Sequence, residues 1–198
     1  MSRPVTIFVR QFLAAPRSIG AVLPSSEGLA DAMLAPLDFS RPQTVVEFGP
    51  GTGAFTRCLA RRLAPGSRYL GIEINPAFSR ALRAEFPQLS FVQASVADLR
   101  ELLRGAGVER VDAVVCGLPW ASLPRALQDA VFAQVARALA PGGVFVTFAY
   151  VQGLAFPGAW ALRRTLRRTF ADVRRSGVVW ANLPPAFAYV CREPRPGF

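Results

Sequence analysis

Short apolar runs rich in Val, Ile and Phe alternate along the chain with longer stretches whose apolar positions recur every three or four residues. The first pattern marks strands buried on both faces, and the second marks helices that cover them. Residues 44–48, 69–73, 89–93, 111–116 and 144–149 read as five such strands in order. Between them, helices are expected from the glycine-rich turn through Arg61, over 76–86, from an Asp98 cap to near Gly105, and over 124–139. Ahead of the first strand, Ser25 or Ser26 can cap a helix running to about Leu34. Strands separated by helices of this length imply right-handed crossovers and a parallel sheet covered on both faces. The last third departs from this rhythm: a helix over 160–170 precedes apolar segments at 178–180 and 187–190, joined through Asn182-Leu183-Pro184-Pro185, which reads as an antiparallel hairpin. The fold class expected is therefore α/β: a Rossmann-like central, mostly parallel sheet with a C-terminal antiparallel hairpin and helices on both faces.

One more amphipathic element stands at the front. If Ser2 caps it and Pro4 occupies the first turn, a helix over 4–15 gathers Val5, Phe8, Val9, Phe12 and Leu13 on one face, with Arg3, Arg10 and Arg17 recurring every seven residues opposite. That face either packs on the core or enters a headgroup boundary while the arginines meet phosphate. The organisation expected is thus an amphipathic, substrate-covering segment at 1–24, one domain at 25–192, and a loose tail at 193–198.

Composition narrows the classes. No apolar stretch is long and uninterrupted enough for a membrane span, and the interleaved charges of the first residues do not resemble a secretion signal, so a cytoplasmic location is expected. Cys58, Cys116 and Cys191 are an odd set without a close pair, which suggests neither a disulfide framework nor a thiolate cluster. Histidine is absent, which removes the commonest neutral-pH base and zinc ligand, so no metal is expected. The net charge of +10 comes from 23 arginines, with no lysine, against 13 acids. Such a field attracts phosphate-bearing partners, anionic lipid or nucleic acid, or simply keeps the protein soluble.

Glu47-Phe48-Gly49-Pro50-Gly51-Thr52-Gly53 follows the first strand and opens a helix. Glycines there let a ligand approach the backbone, and a helix start offers free N–H groups. Pro50 between the glycines and the absence of a phosphate-binding lysine separate it from common phosphate loops; a nucleoside-bearing cofactor is the favoured reading, with a plain tight strand-to-helix turn as the alternative. Glu73 ends the second strand about twenty residues past the turn, where a carboxylate can accept both ribose hydroxyls. Glu47 can receive donors from the turn or from a ligand ammonium.

These residues, with Gly117-Leu118-Pro119-Trp120 after the fourth strand, resemble the motifs of class I methyltransferases. Residues 15–26, Cys116-Gly117-Leu118-Pro119, Phe148-Ala149-Tyr150 and Asn182-Leu183-Pro184-Pro185-Ala186 resemble more narrowly the small bacterial phospholipid N-methyltransferases, over roughly residues 7 to 192. The resemblance implies S-adenosyl-L-methionine (AdoMet) as cofactor, with Gly49, Gly51 and Gly53 along its methionine and ribose, Glu73 on the ribose, and Ala94, Ser95 and Val96 beside adenine. Ser95 departs from the Asp common at that position, exchanging a carboxylate acceptor for one hydroxyl.

The implied reaction is N-methylation of an aminophospholipid headgroup, phosphatidylethanolamine and its partly methylated derivatives, at the inner face of the cell membrane. Trp120 then either turns its ring to the substrate ammonium or sits in the core beneath the next helix. Tyr150 or Tyr189 can relay the amine proton, as can water, and Asn182 is either at the substrate mouth or a turn residue. Phe8, Arg10, Phe12, Arg17, Ser25, Ser26, Gly117, Leu118, Pro119 and Tyr189 are the expected substrate or membrane contacts. Arg163, Arg164, Arg167 and Arg168 beside Trp160 form a second basic patch that suits a membrane, RNA or plain solvation. Gly117 lacks the acceptor side chain that adenine-amine methyltransferases of this architecture place there, which weakens the nucleic-acid reading. The competing functions are methylation of RNA or a small amine, and a catalytically silent lipid- or RNA-binding protein; no protein partner is implied.

Overall fold

The computed structural model describes residues 25–120 and 123–197. The helix expected over 4–15, with Phe8, Arg10, Phe12 and Arg17, lies outside them. In α1 (Glu27–Leu34) the extended Ser26 accepts the Leu29 N–H on its hydroxyl, and Leu29, Ala30, Met33 and Leu34 are buried on one side. The alternation then follows: β1 (Thr44–Phe48), α2 (Ala54–Arg62), β2 (Arg68–Glu73), α3 (Pro76–Glu85), β3 (Ser90–Gln93), α4 (Leu99–Gly105), β4 (Val111–Cys116), α5 (Arg125–Ala138) and β5 (Leu139–Tyr150). Asn75 caps α3 through the N–H groups of Ala77 and Phe78, with Pro76 at the first helical position. Finally come α6 (Pro157–Thr169), β6 (Phe170–Arg175) and β7 (Ala186–Pro194).

The seven strands form one sheet in the order β3-β2-β1-β4-β5-β7-β6, parallel from β3 to β5 and antiparallel at β7 and β6. Because successive residues of a strand face opposite sides, Val46, Phe48, Val114 and Phe145 enter the core beneath α4, α5 and α6. Val45, Ala113, Val115 and Val146 enter the core beneath α1 and α2. Strand order reverses between β1 and β4, and a crevice opens there at the carboxyl ends of the parallel strands, where ligands of open α/β sheets bind.

The C-terminal hairpin differs in its members from the expected one. Residues 178–180 make a single bridge, Val179 with Ala186, and the partner of β7 is β6, which leaves α6 without a break. Phe170-Ala-Asp-Val-Arg-Arg carries charge because it is an edge strand, and exposed charge on an edge opposes pairing with other chains. Pairing also runs on to Pro194 opposite Phe170, inside the segment expected to be a tail. Pro141-Gly142-Gly143, expected to precede β5, is an irregularity within it, with Gly142 at φ 77°.

Candidate cofactor and substrate site

The turn after β1 holds three glycines in left-handed backbone conformations, with φ of 62° at Gly49, 58° at Gly51 and 80° at Gly53. Side chains rarely adopt such angles, so the turn requires glycine whatever it binds. The turn bends back over β2 and is pinned by Glu73, whose Oε2 accepts the Gly51 N–H at 3.0 Å while Oε1 accepts the Asn75 N–H at 2.8 Å. A carboxylate has about four acceptor positions, so each oxygen keeps one for a ribose hydroxyl. Burial raises the Glu73 pKa, opposed by these backbone N–H groups. Gly117, hydrogen-bonded to Phe48 O at 2.9 Å, closes the opposite wall; a Cβ there would stand 3.0 Å from Gly49 O. The backbone of β4 therefore lies directly against the turn.

Gly49, Gly51, Glu73 and Gly117 line one cavity with Ala94, Ser95, Val96, Leu118 and Pro119, all expected from the sequence, whereas Gly53 and Glu47, also expected there, are not among its lining residues. Ser95 also accepts the Ala97 N–H at 3.2 Å, so part of its acceptor capacity caps the short turn 96–98. Sequence reasoning missed Ile72, Ile74, Phe78, Leu123 and Leu127, the apolar remainder of the wall. Ile74 was reachable as the neighbour of Glu73, whereas Phe78, Leu123 and Leu127 look like ordinary helix-packing positions until the fold turns them to the cavity.

Glu47 is fully buried next to this turn. Its Oε2 accepts from Tyr69 Oη at 2.6 Å and Thr56 Oγ1 at 2.9 Å, while Oε1 has no partner among the described residues. Burial pushes its carboxyl up to about 7, although the two hydroxyls pull it down. A buried carboxylate with one oxygen unmet calls for a cation or a proton. The donor set fits AdoMet: an acceptor pair at Glu73 for a ribose, glycine backbone for close approach, an apolar slot for a base, and an unmet anion at Glu47 for an ammonium.

Other sequence candidates fall outside the cavity lining, and the expected roles of Trp120, Tyr189 and Asn182 are corrected. Trp120 is 2% exposed, its ring stacked on Phe132 at 4.5 Å and its Nε1 donating to Thr147 Oγ1 at 2.8 Å. It is a core residue and presents no face to the cavity. Tyr189 is buried in the middle of β7 against Phe187, at 5.1 Å between rings, so it is not a surface contact. Asn182 is buried with both ends of its amide engaged: Oδ1 accepts the Ser26 N–H at 2.9 Å, and Nδ2 donates to Pro184 O at 2.7 Å. It ties the β6–β7 loop to the start of α1, and Ser26 serves as that helix's cap; Ser25 is half-buried beside it. Tyr150 is half-buried at the end of β5, edge-on to Phe148 at 5.4 Å, and burial raises its pKa, which makes its phenolate scarce at neutral pH. Among the described residues no group of side chains could hold a metal ion, and no helix is long and apolar enough to cross a membrane.

Sheet order, switch-point crevice and the Glu47, Gly49 and Glu73 arrangement define a class I methyltransferase. A family model described as a methyltransferase domain matches residues 45–143. The ornithine lipid N-methyltransferase of Singulisphaera acidiphila is 34% identical over 197 residues, covering 97% of each chain. Human methyltransferase-like protein 13 in complex with SAH superposes with a TM-score of 0.64 at 17% identity, covering 85% of this chain and 82% of that one. The O-methyltransferase from Bacillus cereus in complex with SAH gives 0.64 at 16% identity, covering 97% and 92%. The chain belongs to the methyltransferase domain family.

Proposed function

We propose that this protein transfers the methyl group of AdoMet to the amine of a lipid headgroup at a membrane surface, with phosphatidylethanolamine and its partly methylated derivatives as the acceptors. The observation that carries the lipid reading is the 34% identity to an ornithine lipid N-methyltransferase, which runs along 97% of both chains and so beyond the cofactor-binding core. Gly117 supports it: a wall of backbone and Leu118-Pro119 offers an amine no side-chain acceptor of the kind that would single out a nucleobase.

When bound, AdoMet supplies a methyl group already activated on a sulfonium, so the chain contributes position and exclusion of water. Glu73 and the glycine turn would hold the ribose end, the unmet Glu47 oxygen beside the turn would take the ammonium, and Leu118, Pro119, Leu123 and Leu127 keep the wall apolar. The acceptor must arrive without its proton. Histidine is absent from the chain and Tyr150 is a poor acceptor of protons, so release to water is the simplest route. The test is incubation of the full chain with methyl-labelled AdoMet and mixed vesicles containing phosphatidylethanolamine, ornithine lipid and an unreactive lipid, followed by lipid extraction. Label in phosphatidylethanolamine is expected. Label confined to ornithine lipid would move the acceptor assignment to that lipid, and label in added RNA but in no lipid would overturn the reading.

A further inference from the structure

Five large apolar side chains are exposed among the described residues: Phe156, Trp160, Val178, Trp180 and Leu183. All five fall on two segments at one end of the molecule. β5 runs past its last pairing with β4, Cys116 with Thr147, to Tyr150, an overhang of roughly 10 Å at about 3.3 Å per residue. β7 begins there, Ala186 opposite Tyr150, and the Val151 N–H donates to Pro185 O at 2.8 Å. The two segments therefore leave side by side from the overhang, at the end of the sheet that also carries the cavity.

The loop of residues 176–185 holds no charged residue, yet it is well fastened. Val179 and Ala186 form a bridge, the Asn182 N–H donates to Val179 O at 3.2 Å, Ser176 Oγ accepts the Ala188 N–H at 2.9 Å, and Asn182 anchors to Ser26. With Asn182 turned inward, Trp180 stands 71% and Leu183 66% exposed. A fixed loop that keeps a tryptophan and a leucine in water marks a contact surface. The basic surroundings indicate which kind: Arg174 and Arg175 flank the loop, and the exposed face of α6 places Arg163, Arg164 and Arg167 three, four and seven residues after Trp160, with no acid on that helix. Aromatic tips ringed by arginine match a bilayer headgroup boundary carrying anionic lipid, where indole rings settle and guanidinium groups meet phosphate.

We propose that the loop of residues 178–183 seats the protein on such a bilayer, with Trp180 and Leu183 entering the headgroup boundary next to the methyl-transfer site. The inference rests on the lipid-methylation reading for its purpose, but its test uses vesicles of phosphatidylcholine and phosphatidylglycerol, which hold no acceptor amine, so recruitment and methylation fail separately. Full-length protein is sedimented with these vesicles, with and without brominated acyl chains. Brominated lipid is expected to quench emission from the parent and to quench Trp180→Phe distinctly less. Trp180→Ser with Leu183→Ser is expected to weaken vesicle partition at least tenfold while thermal unfolding and AdoMet affinity stay unchanged. Equal partition by the double variant, or equal quenching in parent and Trp180→Phe, would overturn the proposal. So would a parent that is dimeric by analytical ultracentrifugation while the double variant is monomeric, since the loop would then serve a second copy of the chain.

Discussion

Single carboxylates carry the sharpest consequences. Glu73 accepts two backbone N–H groups and keeps capacity for the ribose, and a hydrogen bond to a charged group contributes about 1.5–3 kcal/mol. Glu73→Ala is therefore expected to weaken AdoMet binding by roughly 10- to 150-fold in calorimetry, and unchanged affinity would remove Glu73 from the site. Glu47 governs pH dependence instead. Its carboxyl, ordinarily at 4.5, sits at about 7 in the folded chain because burial opposes the charge. Between those values the native state keeps a proton that the unfolded chain has released, so stability of the cofactor-free protein falls as pH rises through the window and levels off above it. The expected loss is on the order of 3 kcal/mol, and Glu47→Gln should flatten the corresponding slope in urea unfolding at pH 5, 6, 7 and 8. Glu73, also raised, leaves a smaller slope of the same sign. Both acids were legible from their places along the chain, Glu47 just before the glycine turn and Glu73 at the end of the next strand. Tyr69 and Thr56, which hold Glu47, were not, because a tyrosine in a strand and a threonine in a helix carry no mark of what they face.

At the scale of elements, the same sequence segment can serve core or site, and only packing decides. Trp120 follows the strand end where substrates are met, which made a cation contact reasonable, but its ring is enclosed by Phe132 and Phe145 under α5. Removing a large buried ring costs about 3–5 kcal/mol, so Trp120→Ala is expected to lower the thermal midpoint by roughly 6–20 °C while the protein that remains folded keeps its AdoMet affinity. Trp120→Phe keeps the stack and loses the bond to Thr147, at a cost of about 1 kcal/mol. The first four parallel strands were read to within a residue, since runs buried on both faces admit little else, whereas β5 begins five residues before its expected start because its glycine-containing irregularity looks like a turn. The edge hairpin was misplaced because the charges of β6 look like the continuation of a basic helix, and the apolar loop at 178–183 looks like a strand.

The whole molecule combines a parallel core whose order follows from right-handed crossovers with a charge of +10 that no local element explains. That field acts before any contact forms, by drawing the protein towards an anionic surface, and its reach is set by salt: about 10 Å at 0.1 M and about 3 Å at 1 M. If the acceptor is a lipid amine in a bilayer, the charge governs how often the enzyme finds the surface and leaves the transfer step itself alone. Replacing part of the phosphatidylcholine in acceptor vesicles by phosphatidylglycerol is then expected to lower the apparent KM for bulk lipid severalfold with kcat unchanged, and raising salt towards 1 M should reverse the gain. If the apolar face expected over residues 4–15 enters the headgroup boundary rather than packing on the core, Phe8→Asp with Phe12→Asp should weaken recruitment as much at about 1 M salt as at about 0.1 M, because apolar burial is not screened. The same lipid dispersed as short-chain monomers should be methylated at a rate that neither phosphatidylglycerol nor salt alters by more than about twofold. A kcat that followed anionic lipid content would place the charge in the chemistry of transfer rather than in recruitment, and a KM indifferent to both would leave the arginine excess without a membrane role.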